Sequence, residues 1–242
     1  MKHFTWIRNT AFLVAIVLLI AIVDFVAQGN PPVEPAGGKH VVPPVDKVPV
    51  ELAGDPDADN FFNTDVMLRG YCYASSQLND TEALGGFGPS DNKAHKVTRT
   101  LPGKGLFLLA QPGVVTDFGD QKGMRLLLVN ATGETLKFSA CDSRLSIIQE
   151  AQDAEGEWHP IEYLPQSWCG NSYHHVMLKP NYFWQFPAPR YQGILPTQLR
   201  FAMMLDDGTQ IHSNEFKGSV NLSQFTSKQG HQPTNIMDPY LE

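Results

Sequence analysis

Three aspartates at alternate positions form the most metal-like pattern in the sequence. Asp55, Asp57 and Asp59 carry carboxylates that can converge on a hard cation such as calcium. An EF-hand loop starting at Asp55 also needs glycine at its sixth position and glutamate at its twelfth. The sequence has Asn60 and Val66 there. The pattern is a partial calcium motif, and its alternative interpretation is the acidic, solvated end of a linker. We therefore predict no metal site.

Cysteine chemistry is limited to Cys72, Cys141 and Cys169, which allow one disulfide and leave one thiol. Cys141 and Cys169 are 28 positions apart, and each lies next to a predicted strand, so we predict a bridge between them. The alternative is three reduced, buried thiols. Cys72 lies between two tyrosines and is expected to be a small buried residue, because a catalytic cysteine needs an electropositive setting.

Histidines offer a second metal hypothesis. His174 and His175 are adjacent, so on a strand they face opposite sides and cannot easily share one metal. A site would need His175 together with His159 or His212 from another strand. The alternative is one half-buried histidine and one surface histidine.

Aromatic residues are concentrated in the middle of the chain, between positions 158 and 191. We expect Trp184 to lie in the core. Four others are expected at strand ends and in loops, where recognition residues are common. Their alternative is packing in the core, and otherwise they are predicted to form an exposed surface for binding a glycan or a peptide: Trp158, Trp168, Tyr173 and Tyr191.

Motifs that mark catalysis or cofactor binding are absent from the sequence. It contains no G-x-S-x-G, H-E-x-x-H, P-loop or G-x-G-x-x-G pattern, so we predict a non-enzymatic protein without a cofactor. The formal net charge is −7, and an acidic body repels phosphate backbones, so we predict no nucleic-acid partner.

Residues 1–29 form a segment that differs from the rest of the chain. Lys2 and Arg8 precede the apolar residues 11–23, which fits a single transmembrane helix that serves as a signal-anchor. The alternative is a signal peptide cleaved near Gly29, with secretion or release into the periplasm. Either way, the positive-inside rule places Met1 in the cytoplasm and the chain after about Asn30 outside it.

Beyond that segment the composition predicts four regions. Residues 30–60 are rich in proline, which suits a spacer. Residues 61–118 read as a β-rich extension or a small β unit, in which residues 106–110 are a short strand and residues 111–113 a turn. Residues 119–225 contain short alternating segments separated by turns, which indicates an antiparallel β-sandwich. Residues 226–242 are a polar tail.

Alternation is clearest at residues 198–205. Leu199, Phe201, Met203 and Leu205 are expected to point inward, and Gln198 and Arg200 outward. The turn at 206–208 then leads into another strand. This rhythm of strands and turns recurs at residues 126–130, 156–158, 178–180, 183–186 and 199–201.

The rhythm resembles that of bacterial immunoglobulin-like domains, over about 100 residues. Those domains often carry a Leu-x-Pro-Gly turn, and here Leu178-Lys179-Pro180 is followed by Asn181, which also tolerates a left-handed backbone. The resemblance implies an all-β, antiparallel immunoglobulin-like β-sandwich behind the N-terminal helix. Such domains bind, space or scaffold.

Together these features predict a membrane-anchored extracytoplasmic binding or structural module. Its partner would be an envelope protein or a surface glycan. Two alternatives remain: an extracytoplasmic hydrolase whose site no motif marks, and an accessory subunit of a membrane complex whose apolar segment packs against other helices.

Overall fold

The computed structural model describes residues 61–76, 86–98, 100, 103–165, 167 and 169–227. The predicted N-terminal segment, the linker with its three aspartates, Trp168 and residues 228–242 lie outside these ranges. Within the described part of the chain, no helix is long and apolar enough to cross a membrane. The strands are β1 (Leu68–Arg69), β2 (His95–Lys96), β3 (Gly105–Phe118), β4 (Gln121–Ala131), β5 (Leu136–Cys141), β6 (Ile147–Gln152), β7 (Trp158–Pro160), β8 (Glu162–Tyr163), β9 (Tyr173–Leu178), β10 (Tyr182–Pro189), β11 (Leu195–Met204), β12 (Gln210–His212) and β13 (Phe216–Val220). Short 3₁₀ helices span Gly170–Ser172 and Leu222–Phe225.

The first sheet has the strand order β2-β10-β4-β3 and is antiparallel throughout. Strands β3 and β4 form a long hairpin that turns at Gly119, where φ is 59°, a conformation that glycine adopts without steric cost. The pairing is interrupted between Gln111 and Val115 by a register shift. Strands β2 and β3 thus bring part of the 61–118 region into the same sheet as β4 and β10.

The second sheet has the order β12-β11-β6-β7. Strand β13 also pairs with β11, on the edge that β12 occupies further along β11. Between β12 and β13 the chain leaves this edge, and Asn214 reaches the first sheet. The Asn214 side chain accepts a hydrogen bond from the Ala110 N–H at 2.9 Å and donates one to the Ala110 carbonyl at 3.1 Å. One amide side chain therefore satisfies both backbone groups of a buried residue of β3.

A single main core draws side chains from both sheets and from the smaller β5–β9 sheet. Trp184 is fully buried in it, as expected, and its indole N–H donates to the Ser75 carbonyl at 3.1 Å. The inward positions predicted on β11, Leu199, Phe201 and Met203, are all buried. Their alternation with half-buried Arg200 is the period-2 pattern of a sheet with one face on the core. The all-β, antiparallel class is confirmed.

Candidate binding face

The outer face of the second sheet carries polar and aromatic side chains on four neighbouring strands. Glu150 and Gln152 of β6 lie on the side opposite the core, because the alternate residues Gln149 and Ala151 are fully buried, whereas Glu150 keeps 8% of its surface exposed and Gln152 is half-buried. Arg200 on β11 points to the same side, since it pairs directly with Glu150. The residues of this face alternate along each strand with buried core residues. The packing of the core therefore determines which side chains point outward.

Four of its side chains lie in one line across the sheet, which we name the polar row. Gln152 pairs with Trp158, and Gln198 pairs with Lys217. The neighbouring pair Leu199–Ala151 places Gln198 beside Gln152. Because adjacent strands are about 4.8 Å apart, the row extends about 14 Å from the edge strand β7 to β13.

The polar row presents hydrogen-bonding groups that the protein leaves open. Among the described residues, the side chains of Trp158, Gln152, Gln198 and Lys217 form no hydrogen bond or ion pair with other protein groups, and none of their polar atoms is enclosed. An indole and an ammonium supply donors, and each amide supplies both donors and an acceptor. The row can therefore satisfy a ligand that has both donors and acceptors.

An ion pair beside the row supports its tryptophan. Arg200 Nε donates to Glu150 Oε2 at 2.7 Å, and the Arg200 guanidinium carbon lies 4.1 Å from the centre of the Trp158 ring. The guanidinium thus covers one face of the indole by a cation–π contact while its charge is balanced by Glu150. Trp158 is thereby held on the sheet without using its N–H.

His212 lies next to this ion pair on the outer face. Its Nε2 lies 3.8 Å from Glu150 Oε2. Burial lowers the pKa of His212, the Arg200 charge lowers it further, and Glu150 opposes both effects. His212 is consequently neutral at neutral pH, and the local charges are those of Arg200 and Glu150, which cancel.

The hairpin before β7 positions Trp158. Asp153 Oδ1 accepts hydrogen bonds from the backbone N–H groups of Glu155 and Glu157 at 3.0 and 2.9 Å, and Oδ2 contacts His159 Nε2 at 2.8 Å. The Glu157 N–H is the largest cause that lowers the pKa of Asp153, and His159 adds to it. Gly156 has a φ of 87°. This local turn chemistry fixes where β7 begins.

The four aromatic residues predicted to form one exposed surface do not do so. The expectation that Tyr191 is exposed is wrong: only 4% of it is accessible. Tyr173 is 50% exposed but lies on β9, in a different sheet from Trp158, and its hydroxyl donates to the Ser167 carbonyl at 2.9 Å. Trp158 alone lies on the candidate binding face, and Trp168 is outside the described residues.

Tyr191 is buried together with the Glu162 carboxylate, to which its hydroxyl donates a hydrogen bond. Glu162 Oε1 accepts hydrogen bonds from Tyr191 at 2.7 Å and from Tyr71 at 2.9 Å. Gln149 donates its backbone N–H to Oε2 at 2.8 Å and its side-chain amide to Oε1 at 3.3 Å. Burial nevertheless raises the pKa of Glu162 to about 7, against the opposing effect of these four donors. Since Glu162 is only 1% exposed, a substrate cannot reach it, so this cluster is a structural element.

The predicted metal and cysteine sites have different outcomes. Within the described ranges there is no group of three or more metal-binding side chains, and the three aspartates lie outside them. His174 is buried and stacks on Phe87 with ring centres 3.7 Å apart. The structure has free thiols at Cys72, Cys141 and Cys169. It therefore does not contain the Cys141–Cys169 bridge, which stays a prediction.

The side chains that sequence reasoning missed are the two glutamines and the lysine of the polar row. The alternation of β11 marked Gln198 as outward-facing, but alternation alone does not tell which side chains of other strands lie beside it.

Comparison of the chain with protein-family models gives no match, and a search of curated proteins gives none either.

Proposed function

We propose that this chain is a membrane-anchored, extracytoplasmic binding module that recognises a glycan through the polar row. The observation that supports glycan binding most directly is the polar row itself. The hydrogen-bonding groups of its side chains have no partner among the described residues: Trp158, Gln152, Gln198 and Lys217. The anchoring part of the proposal rests on the basic start and apolar run of residues 1–29.

The proposed scaffold is an immunoglobulin-like sandwich, and the strand order supports it. In such a fold one sheet contains the first, second, fourth and fifth strands, with the second between the first and the fifth, and the other contains the third, sixth and seventh. Here β3, β4 and β10 are neighbours in the first sheet, and β6, β11 and the β12–β13 edge are neighbours in the second. Strand β7 then takes the place of the additional edge strand that follows the third strand.

The chemistry of the row suits sugar hydroxyls. Each hydroxyl donates one hydrogen bond and accepts others, and the amides of Gln152 and Gln198 can do both at once. The indole of Trp158 combines an apolar ring with a polar N–H, as a sugar combines C–H and O–H groups. The row is about 14 Å long by strand spacing, so it can accommodate a short oligosaccharide in extended form.

Charge favours an uncharged glycan over a polyanion. The chain has a formal net charge of −7, which repels sulfated or phosphorylated polymers. On the face itself, Arg200 and Glu150 neutralise each other, so the polar row keeps only the single positive charge of Lys217, which is too little to hold a polyanion against the net charge of the chain. A protein partner is less suited, because the centre of a protein interface is depleted in charged residues, whereas an ion pair lies at the centre of this face.

The binding experiment uses the full-length chain in mild detergent. Uncharged and acidic polysaccharides are immobilised, and the retained protein is measured. We expect retention on an uncharged polymer and a loss of at least about tenfold in affinity for the double variant Gln152→Ala/Gln198→Ala, since it removes two to four hydrogen bonds. Gln185→Ala is the matched control, because Gln185 is a half-buried glutamine on the first sheet.

Three outcomes would contradict the proposal. Retention only on acidic polymers, or equal affinity of the double variant and wild type, would exclude the polar row as the site. Failure of every glycan to bind, with capture of an envelope protein instead, would favour the protein partner. Cleavage of a retained glycan by the purified chain would make the protein a hydrolase.

Membrane attachment is tested separately. Protease added to intact cells, or to spheroplasts where an outer membrane is present, should remove the chain beyond the linker. A domain that stays protected while its membrane is sealed would contradict the proposed sidedness. A mature N-terminus at Asn30 would replace the anchor by a cleaved signal.

A further inference from the structure

Cys141 and Cys169 lie on two segments that are hydrogen-bonded to each other. Cys141 ends β5 and pairs with Tyr173 of β9. The next residue, Asp142, donates its N–H to the Ser172 carbonyl at 2.8 Å, and Ser172 donates its own N–H to the Cys169 carbonyl at 3.0 Å. The two cysteines are therefore separated by two successive backbone hydrogen bonds, although they are 28 positions apart along the chain.

Ser167 connects the two cysteines more directly. Its backbone is close enough to the Cys141 thiol to lower the pKa of that thiol slightly, and its hydroxyl accepts the Cys169 N–H at 3.2 Å. The Cys141 sulfur thus lies near the backbone two residues before Cys169. A disulfide requires the two Cα atoms to lie about 4.4–6.8 Å apart. Because the two chain segments are hydrogen-bonded to each other, the bond requires a shift of the loop before β9 and no change of strand pairing.

The turn that carries Cys141 is rigid. Asp142 and Ser143 have φ values of 49° and 65°, as in the tight two-residue turn that joins antiparallel segments. Cys141 and Arg144 exchange both backbone hydrogen bonds across it at 3.0 Å. Two bonds to Gly88 hold the turn further: Asp142 Oδ1 accepts its N–H, and the Ser143 hydroxyl donates to its carbonyl. Because these bonds hold Cys141 in place, the movement needed to form the disulfide has to come from the loop that carries Cys169.

The surroundings distinguish this pair from the third cysteine. Cys141 and Cys169 are both half-buried and open to reagents, whereas Cys72 is fully buried. Burial raises the pKa of the Cys141 thiol and Asp142 adds to that rise, whereas Arg144 and Arg69 oppose it. For Cys72, burial and the nearby Glu162 both raise the thiol pKa. Thiolates perform disulfide exchange, so Cys72 is the thiol that stays reduced.

We propose that Cys141 and Cys169 are a modification site: they form a disulfide that clamps the loop before β9 to the β5–β6 turn. A disulfide-exchange oxidant of the extracytoplasmic space supplies the electron acceptor. One thiolate attacks the oxidant's disulfide and releases one of its sulfurs as a thiol. The second thiolate then attacks the mixed disulfide. Two thiols of the chain become one S–S bond, and the oxidant's disulfide becomes two thiols.

Peptide mapping of the full-length chain tests the clamp. The chain is equilibrated with oxidised and reduced glutathione at an oxidising ratio, alkylated after unfolding, and digested with trypsin without reduction. Trypsin cuts after Lys137, Arg144 and Arg190 but not after Lys179, which precedes Pro180, so the two cysteines fall in separate peptides. We expect residues 138–144 linked to residues 145–190, and Cys72 alkylated. Alkylation of both Cys141 and Cys169, glutathione on both, or a linkage that includes Cys72 would overturn the proposal.

Thermal unfolding gives an independent measurement. A disulfide that closes this loop should raise the Tm of the oxidised chain by about 5–10 °C over the reduced chain. Cys141→Ser and Cys169→Ser should each abolish that difference, and Cys72→Ser should keep it. If a serine variant fails to fold, the peptide map of the wild-type chain still decides. Both measurements are made in vitro, so a wrong glycan assignment or topology leaves their result unchanged.

Discussion

Replacing Glu162 by glutamine should change how the stability of the protein depends on pH. The folded state holds the Glu162 carboxyl with a pKa of about 7, raised by burial from an ordinary 4.5. Between these two values the folded chain keeps a proton that the unfolded chain releases. The stabilisation is therefore complete below about pH 4.5, decreases as the pH rises, and is lost above about pH 7.

The magnitude follows from the pKa difference. One pKa unit corresponds to about 1.4 kcal/mol, so the wild-type protein should lose about 2–3 kcal/mol of unfolding free energy through this carboxyl between pH 5 and pH 8. Glutamine keeps one oxygen as an acceptor for Tyr191 and Tyr71. Its amide group then faces the Gln149 N–H, which loses its acceptor at a cost of about 1–3 kcal/mol at every pH.

The assay is urea unfolding of the full-length chain followed by tryptophan fluorescence, at pH 5, 6, 7 and 8. Glu162→Gln should be less stable than wild type at pH 5, and the difference should shrink by about 2–3 kcal/mol by pH 8. Histidine titration affects both proteins alike and cancels in the difference. Glu155→Gln, at the tip of an exposed hairpin, is the control and should run parallel to wild type. Parallel curves for Glu162→Gln would refute the reasoning.

Two further predictions concern the contact between the sheets and the crowding within the first one. Asn214→Ala leaves both backbone groups of Ala110 without their partner and should cost about 1–3 kcal/mol in urea unfolding; faster hydrogen exchange at the Ala110 amide should accompany it, and an unchanged rate would contradict the contact. Gly123→Ala would place a Cβ 2.3 Å from the Ala188 carbonyl and should destabilise by about 1–3 kcal/mol. Gly133→Ala, which meets no atom within 4 Å, is its control, and equal stability of the two variants would argue against this close packing of β4 on β10.

The sequence predicted what depends on local pattern. On β11, hydrophobic residues at every second position marked Leu199, Phe201 and Met203 as inward, and all three are buried. Trp184 was correctly placed in the core for the same reason. These assignments depend only on the alternation of a strand, which is visible within a few residues.

Strand length was misjudged where proline intervened. Residues 111–113 were expected to be a turn that ends a short strand, but β3 continues to Phe118 through a register shift after Gln111. Proline lacks a backbone donor, yet a bulge on an edge strand accommodates it. Whether Pro112 ends a strand or lies in a bulge depends on the hydrogen-bonding partner, which is β4.

Long-range contacts account for the remaining differences. Tyr191 was expected to be exposed because it lies in a loop, and it is buried because Glu162, 29 positions earlier, accepts its hydroxyl. The other tyrosine on that carboxylate is 91 positions from it. The polar row likewise requires the register of four strands. Neither arrangement leaves a periodic signal in the sequence.

The most direct test of the central claim follows the indole N–H signals of the full-length chain by NMR during titration with an uncharged oligosaccharide. Trp158 has an open N–H on the candidate face, whereas the Trp184 N–H is bonded to the Ser75 carbonyl inside the core. Single Trp→Phe variants assign the signals. We predict that the Trp158 signal shifts in a saturable manner, and that the Trp184 signal does not move. Saturable binding that leaves the Trp158 signal in place would contradict recognition through the polar row.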